Sequence, residues 1–184
     1  MSSSEPTPGL ASSALAVAFL ISLSLLAACT VRPLYSNTAA LSTAPNVPAA
    51  LDQIAVKPVS TRYAQQVRNH LIFLFGGGKG EPANPTYSLD LTVTEVNEAT
   101  AIIQVNDEDQ PTAGAIVMTA AYTLTKGGQA VSTGTRQIAA SYDAPRQEYA
   151  NLRAQRDAED RAARELAELV RLAVAQDLLK AKPH

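Results

Sequence analysis

Four stretches of this 184-residue chain alternate apolar and polar positions, and two others repeat apolar positions every three to four residues. The clearest alternation runs from Tyr87 to Val93, with Tyr87, Leu89, Leu91 and Val93 on one side and Ser88, Asp90, Thr92 and Thr94 on the other. A period of two is the signature of a strand with one buried face. This strand is expected to continue past a weak point near Asn97 to Ile102, Ile103 and Val105, and Asn106 to Pro111 reads as an acidic turn. Ile116, Met118, Ala120, Tyr122 and Leu124 alternate again with Thr119, Ala121 and Thr123. Lys126-Gly127-Gly128-Gln129 then predicts a hairpin turn, because paired glycines supply the positive φ angles such turns need. Val131 to Tyr142 returns as a further strand, the least apolar of the set, with Gly134 and Gln137 in it. Upstream, Leu51 to Val59 reads as the first strand, with Leu51, Ile54 and Val56 apolar and Pro58 closing it.

The helical spacing lies between and after these strands. Tyr63, Val67, Leu71 and Leu74 fall on one face of a helix from Arg62 to Phe75, widened by Ile72 and Phe75, with Thr61 as its N-cap. Gly76-Gly77-Gly78-Lys79-Gly80 stops it, glycine being the residue that tolerates a left-handed C-cap. A longer helix is expected after Pro145, from Tyr149 to about Leu179, burying Ala162, Leu166, Leu169, Val170 and Ala173. The order β-α-β-β-β-α predicts an α+β fold. It is a two-layer sandwich: a four-stranded, mostly antiparallel sheet with two helices on one face.

A different pattern precedes this domain. An apolar run from Ala14 to Leu26 ends in Leu26-Ala27-Ala28-Cys29, and Cys29 is the only cysteine. An apolar core of that length, small residues before a cleavage point and a cysteine after it read as a lipoprotein export signal. The thiol of Cys29 would receive the diacylglycerol and become the acylated first residue of the mature chain. Two or three acyl chains anchor stably, whereas one binds only at roughly 10⁴ M⁻¹. Met1 to Ser13 holds no Lys or Arg, so the amino terminus alone supplies the positive charge that usually opens such a signal. Two alternatives stay open here: a plain membrane anchor over Leu10 to Ala28, near the roughly 20 residues a span needs, and a buried helix with a chance cysteine. On the signal reading the chain divides into a signal peptide at 1–28, a lipidated flexible tether at 29–50 and one α+β domain at 51–184. The tether assignment rests on the Ser, Thr, Ala, Asn and Pro that fill Thr30 to Ala50.

Composition narrows the function classes. All 15 Lys and Arg lie after Cys29, against every acid but Glu5, so the charges nearly balance and leave no electrostatic footprint for nucleic acid. The absence of Trp argues against a sugar- or base-stacking platform. With its one cysteine acylated the domain has no disulfide to form, so its core must hold unaided.

No catalytic or metal-binding pattern stands out. The glycine run around Lys79 follows a helix and is followed by Gly80, where a phosphate-binding loop needs a preceding strand and a Ser or Thr. Asp107, Glu108 and Asp109 are clustered carboxylates without the alternating spacing or central glycine of a calcium loop. His70 has no second ligand nearby, and His184 is the last residue. No Gly-x-Ser-x-Gly elbow is present. Along the last helix Arg153, Arg156, Arg161, Arg164 and Arg171 are interleaved with Asp157, Glu159, Asp160, Glu165 and Glu168, the pattern of a solvated, salt-bridged face.

The order of elements after the export signal, together with several short motifs, resembles the LPS-assembly lipoprotein family, LptE. The motifs are Cys29-Thr30-Val31-Arg32-Pro33-Leu34-Tyr35, Val67-Arg68-Asn69-His70-Leu71, Tyr87-Ser88-Leu89-Asp90-Leu91 and the alanine-rich tract from Arg156 to Ala163. Thr30 and Val31 stand where comparable members carry a glycine and an aromatic residue. The resemblance implies a non-enzymatic outer-membrane lipoprotein without cofactor other than its acyl chains on Cys29. It implies a plug partner for the outer-membrane barrel LptD that assists barrel assembly and lipopolysaccharide insertion. Thr30, not being Asp, agrees with outer-membrane sorting. The polar positions Thr119, Thr123, Thr133 and Thr135 would meet a hydrated barrel wall or face solvent. Lipopolysaccharide carries phosphates that guanidinium groups bind bidentately, which makes Arg62, Arg68 and Arg136 the candidate contacts. The alternative reading is an auxiliary lipoprotein of a lipid-transporting ABC system.

Overall fold

A computed structural model of the protein describes residues 46–105 and 108–180, with the backbone alone for 103–105 and 108–111. The lipobox residues Leu26, Ala27, Ala28 and Cys29, the Arg32–Tyr35 motif, Asp107 and His184 lie outside the described residues. The elements are α1 (Val47–Leu51), β1 (Ile54–Val56), α2 (Arg62–Gly76), β2 (Tyr87–Val105), β3 (Glu108–Lys126), β4 (Gln129–Asp143) and α3 (Glu148–Lys180). The strands form one sheet in the order β1-β2-β3-β4. β1 is parallel to β2, with Ile54 opposite Tyr87 and Val56 opposite Leu89; the other pairs are antiparallel. The α+β sandwich expected from the periodicity is thus present, with one added short helix.

That helix shortens the expected first strand. Leu51 closes α1 instead of opening β1, and only Ile54–Val56 pair with β2. Pro48 is preorganised for a first helical turn, and the Asn46 side chain accepts the Ala49 N–H at 3.4 Å. Val47 and Leu51 are each 2 % exposed. The folded domain therefore takes in residues 46–50, at the end of the stretch read as tether. Pro58 ends the strand pairing just after the last bond, from Lys57 N–H to the Leu89 carbonyl at 2.9 Å.

α2 begins and ends as expected. Thr61 caps it through Ala64 N–H, and Gly77, at φ 57°, donates to the Phe73 carbonyl. Ala64, Val67, Leu71 and Phe75 form its buried face, with Tyr63, Ile72 and Leu74 half-buried at the margins. In α3 the buried set is alanine-rich: Ala158, Ala162, Ala163, Leu166, Ala167, Val170, Ala173, Val174, Ala175 and Leu178. Small side chains let two helices and a sheet approach closely, and Leu166 or Val170 then fills the space between. Fully burying such a side chain contributes about 1.5–3 kcal/mol.

The sheet supplies the other half of the core through Leu89, Leu91 and Val93 of β2 and Ile116, Met118, Ala120, Tyr122 and Leu124 of β3. The β2–β3 hairpin is longer than the alternation suggested. Glu108–Pro111, expected in a turn, are strand residues opposite Ile102–Val105. The ladder shifts register between Ala99 and Ile102. Pro111 sits beside that irregularity, where a missing backbone donor is tolerated. The β3–β4 connection is a two-residue turn with Gly127 at φ 57° and Gly128 at φ 84°, the left-handed pair a tight hairpin requires.

The connections set the directions of the helices. β1-α2-β2 is a parallel crossover, so α2 runs against β2, and α3, following β4, runs the same way as α2. Arg62, the first residue of α2, pairs with Glu159 and Asp160. Residues 148–158 of α3 therefore lie beyond the start of α2, and the far end of the β2–β3 hairpin lies beyond the last β4 pairing at Ala113–Asp143.

Candidate functional site: an open sheet face and its edges

Both helices cover one face of the sheet. The other carries Asp90, Thr92 and Thr94 from β2, Thr119, Ala121 and Thr123 from β3, and Thr133, Thr135 and Gln137 from β4. These residues stand opposite one another along the ladders, as in Asp90–Thr123–Thr133 and Thr92–Ala121–Thr135. Thr133 and Thr135 are exposed, Thr119 and Thr123 half-buried. Asp90, Thr92, Ala121, Thr123, Thr133 and Thr135 line a shallow depression of about 310 Å³. The four threonines singled out from the sequence thus share one open, hydroxyl-rich face. Such a face offers hydrogen-bond donors and acceptors, with Asp90 as the one charged group among the residues named.

The three candidate arginines are not brought together. Arg62 is spent between the helices, its guanidinium on Glu159 and, at 2.9 Å, on Asp160. Arg68 points at β1: its Nε donates to the carbonyls of Val56 at 3.0 Å and Lys57 at 3.2 Å, and Nη2 pairs with Glu81 at 2.8 Å. Glu81 in turn accepts the Val56 N–H at 2.9 Å. The Arg68–Glu81 pair thereby satisfies both outward main-chain groups of Val56, as a neighbouring strand would. Arg136 lies on the helix side of β4, opposite Ala120, and its Nη1 donates to the Thr135 carbonyl at 2.7 Å. Arg161 of α3 does the same further along, donating to the Ser141 carbonyl at 2.7 Å while pairing with Asp157 at 2.8 Å.

Two glycines in strands mark close crossings that sequence reasoning passed over. A Cβ on Gly134 would lie 2.5 Å from the Tyr122 hydroxyl, and one on Gly114 the same distance from the Tyr142 hydroxyl. Each tyrosine lies across the neighbouring strand's glycine. Tyr122 reaches Asp177 of α3 at 3.0 Å, a carboxylate that also accepts the Ser132 hydroxyl. Tyr142 reaches the Asn97 side chain at 2.8 Å. A glycine inside an alternating strand was the available signal, since it often marks a close approach. Burial and the Asp177 carboxylate push Tyr122 up to about 12. Glu95, on the helix side of β2, is also raised, chiefly by burial and then by Glu159, with Arg62 and Arg156 opposing. Its Oε2 is buried without a hydrogen-bond partner.

The remaining candidates fall in ordinary places. Lys79, in the glycine loop, is exposed and pairs with Asp52 at 3.2 Å. His70 is half-buried on α2. Glu108 and Asp109 belong to β3. On α3, Arg156–Glu159 and Arg161–Asp157 form pairs at helical spacing. Among the described residues, no three His, Cys, Asp or Glu side chains are placed to hold a metal ion together, and no helix is long and apolar enough to cross a membrane.

These features define a two-layer α+β domain with one open polar face. The family model described as LptE, lipopolysaccharide-assembly, matches residues 51–174, and the chain belongs to that family. Membership places it in lipopolysaccharide transport at the cell envelope. Among solved structures it is similar to a lipoprotein from Caulobacter crescentus CB15, at TM-score 0.60 and 23 % identity, covering 76 % of this chain and 100 % of that one. It is also similar to a minor lipoprotein from Acinetobacter baumannii, at TM-score 0.52 and 13 % identity, covering 73 % and 98 %. These likenesses show the fold. A comparison with curated proteins found no match.

Proposed function

We propose that the chain is a lipoprotein acylated at Cys29, sorted to the outer membrane, whose domain seats against the barrel LptD. There it assists barrel assembly and lipopolysaccharide insertion without making or breaking a bond. The observation that carries this reading is the family match over residues 51–174, on a domain that leaves one hydroxyl-rich sheet face open. A hydrated barrel wall offers the complementary donors and acceptors. The acyl anchor supports the same reading, because tethering both partners to one membrane raises their effective concentration. Lipopolysaccharide contact at Arg62, Arg68 or Arg136 would use guanidinium donors left beside the present carboxylate or carbonyl partners, or exchange those partners for a phosphate.

The test is a pull-down from detergent-solubilised outer membranes through a C-terminal tag, with partners identified by mass spectrometry. A large outer-membrane barrel recovered at about one to one is the expected result. Recovery with inner-membrane or periplasmic transport subunits instead would overturn the barrel reading.

A further inference from the structure

A sheet edge is a row of unpaired N–H and C=O groups, and proteins blunt such rows with charges, prolines or covering side chains. In this domain the two outer strands are treated that way. On β1, Glu81 accepts the outward N–H of Val56 and Arg68 donates to its outward carbonyl. On β4, Arg136 and Arg161 donate to the carbonyls of Thr135 and Ser141. Because β1 pairs only with Tyr87–Leu89, the rest of β2 is a third edge, and it is treated differently.

The bonding parity of β2 is readable from its paired end. Tyr87 N–H bonds outward to Gln53, and the Leu89 carbonyl outward to Lys57. Alternation then turns the main-chain groups of Leu91, Val93, Glu95 and Asn97 outward too, while Thr92, Thr94 and Val96 bond to β3. Among the described residues, no strand or side chain is bonded to those outward groups. The ladder shifts register only beyond Asn97, between Ala99 and Ile102, and the stretch from Leu91 to Val105 holds no Lys, Arg, Pro or Gly, so the basic and proline edge defences are missing from it. Its charges are Glu95 and Glu98, and Glu95 keeps a buried carboxylate oxygen without a hydrogen-bond partner. Asp90 next to it is engaged by Lys57 at 2.7 Å. Arg62 and Arg156 approach Glu95 from the helix side, and Glu159 opposes them.

We infer that the Leu91–Asn97 edge of β2 is a strand-addition site for an extended segment of a partner protein carrying a Lys or Arg that stands opposite Glu95. Main-chain pairing supplies the affinity in such a mode, and alternate side chains supply the specificity. The cation would give the Glu95 oxygen the donor it lacks. A second copy of this chain is disfavoured as occupant, because antiparallel pairing of two β2 edges sets Glu95 and Glu98 of each against those of the other. The inference concerns the edge and holds whichever envelope partner uses it.

The test is residue-resolved amide hydrogen exchange on the full acylated chain, alone and as recovered from membranes with its partners. In the chain alone, the amides of Leu91, Val93, Glu95 and Asn97 should exchange freely while those of Thr92, Thr94 and Val96 are protected. With partners bound, the outward set should slow by at least about tenfold. Asn97→Pro removes one outward donor from β2 and Gln137→Pro one from β4. Partner recovery should drop at least about tenfold for the first and hold for the second. Outward amides that stay fast in the recovered complex would overturn the inference, as would recovery of the chain with no partner. Protection appearing in the chain alone with rising concentration would assign the edge to self-pairing and overturn the heterologous occupant. A partner that protects the edge but is not a barrel would sink the plug reading and leave the strand-addition site standing.

Discussion

Between Tyr87 and Val93, β2 sends Leu89, Leu91 and Val93 beneath two helices; between Ala99 and Val105 the same strand runs on past the start of α2. Leu89, Leu91 and Val93 of the near half are 0–7 % exposed, whereas Ile102 on the far half is 57 % exposed. Both halves pair with β3, apart from Thr100 at the register shift. Strand formation therefore follows the local pattern in each, but burial follows the helices. α2 can begin no earlier than its cap at Thr61, and Arg62 locks that start beside Glu159. The lesson is that one hairpin serves two purposes, a core wall at one end and a presented surface at the other.

Truncation separates the halves most sharply. Leu89→Ala should cost about 3 kcal/mol in a urea or guanidinium titration, as buried leucines do, whereas Ile102→Ala should stay within about 0.5 kcal/mol. Equal losses at the two sites would break the comparison. The two tyrosine crossings extend it. Gly134→Ala forces the Tyr122 ring aside, and with Tyr122 only 3 % exposed the ring has nowhere to go, so the loss should be about 2 kcal/mol. Gly114→Ala meets Tyr142, which is less buried and free to swing outward, and should cost under about 1 kcal/mol by the same argument.

Removing the hydroxyl is a smaller test. Tyr122→Phe leaves Asp177 with Ser132 as its partner and should cost about 1.5 kcal/mol, the scale of a bond to a charged acceptor. It should also change the alkaline limb of stability. Tyr122 keeps its proton in the native state up to about pH 12, against 10.0 for an ordinary tyrosine. Between those values the unfolded chain loses a proton that the native chain retains, so stability falls as pH rises. Tyr122→Phe should remove that part of the slope in thermal melts.

The smallest expected effect is at Glu95, where the two halves of β2 meet. Its carboxyl is raised by burial and by Glu159, so the native state holds the proton more tightly than the unfolded chain. The resulting destabilisation is present above the native value and vanishes as pH falls below the ordinary glutamate value of about 4.3. Glu95→Gln should therefore raise Tm at pH 7 and give up that gain near pH 4. A loss of stability at pH 7 would show that the Arg62 and Arg156 attractions outweigh burial.

Much of this was legible beforehand. The Tyr87–Val93 alternation, the Thr61 cap, the Gly77 stop and the Gly127-Gly128 turn are local devices, and each works from a handful of adjacent residues. Arg68 and Arg136 were not legible in the same way. As isolated basic residues they suggested phosphate contacts, but the structure sets each against a sheet edge, where its guanidinium meets carbonyl oxygens. The long-range contacts of Glu81, Arg161 and Asp177 carried no sequence signal, because Val56, Ser141 and Tyr122 lie 20 or more positions away along the chain. The short helix at Val47–Leu51 was hidden because five residues give too little periodicity to separate from a strand or a tether.

The order of elements and the face each strand buries were set by the sequence itself, since period and capping act over a few bonds. Which edge is sealed and which left open was decided only in three dimensions. A main-chain carbonyl has no identity in the sequence, and whether a side chain reaches it depends on where helices and strands of distant origin come to rest.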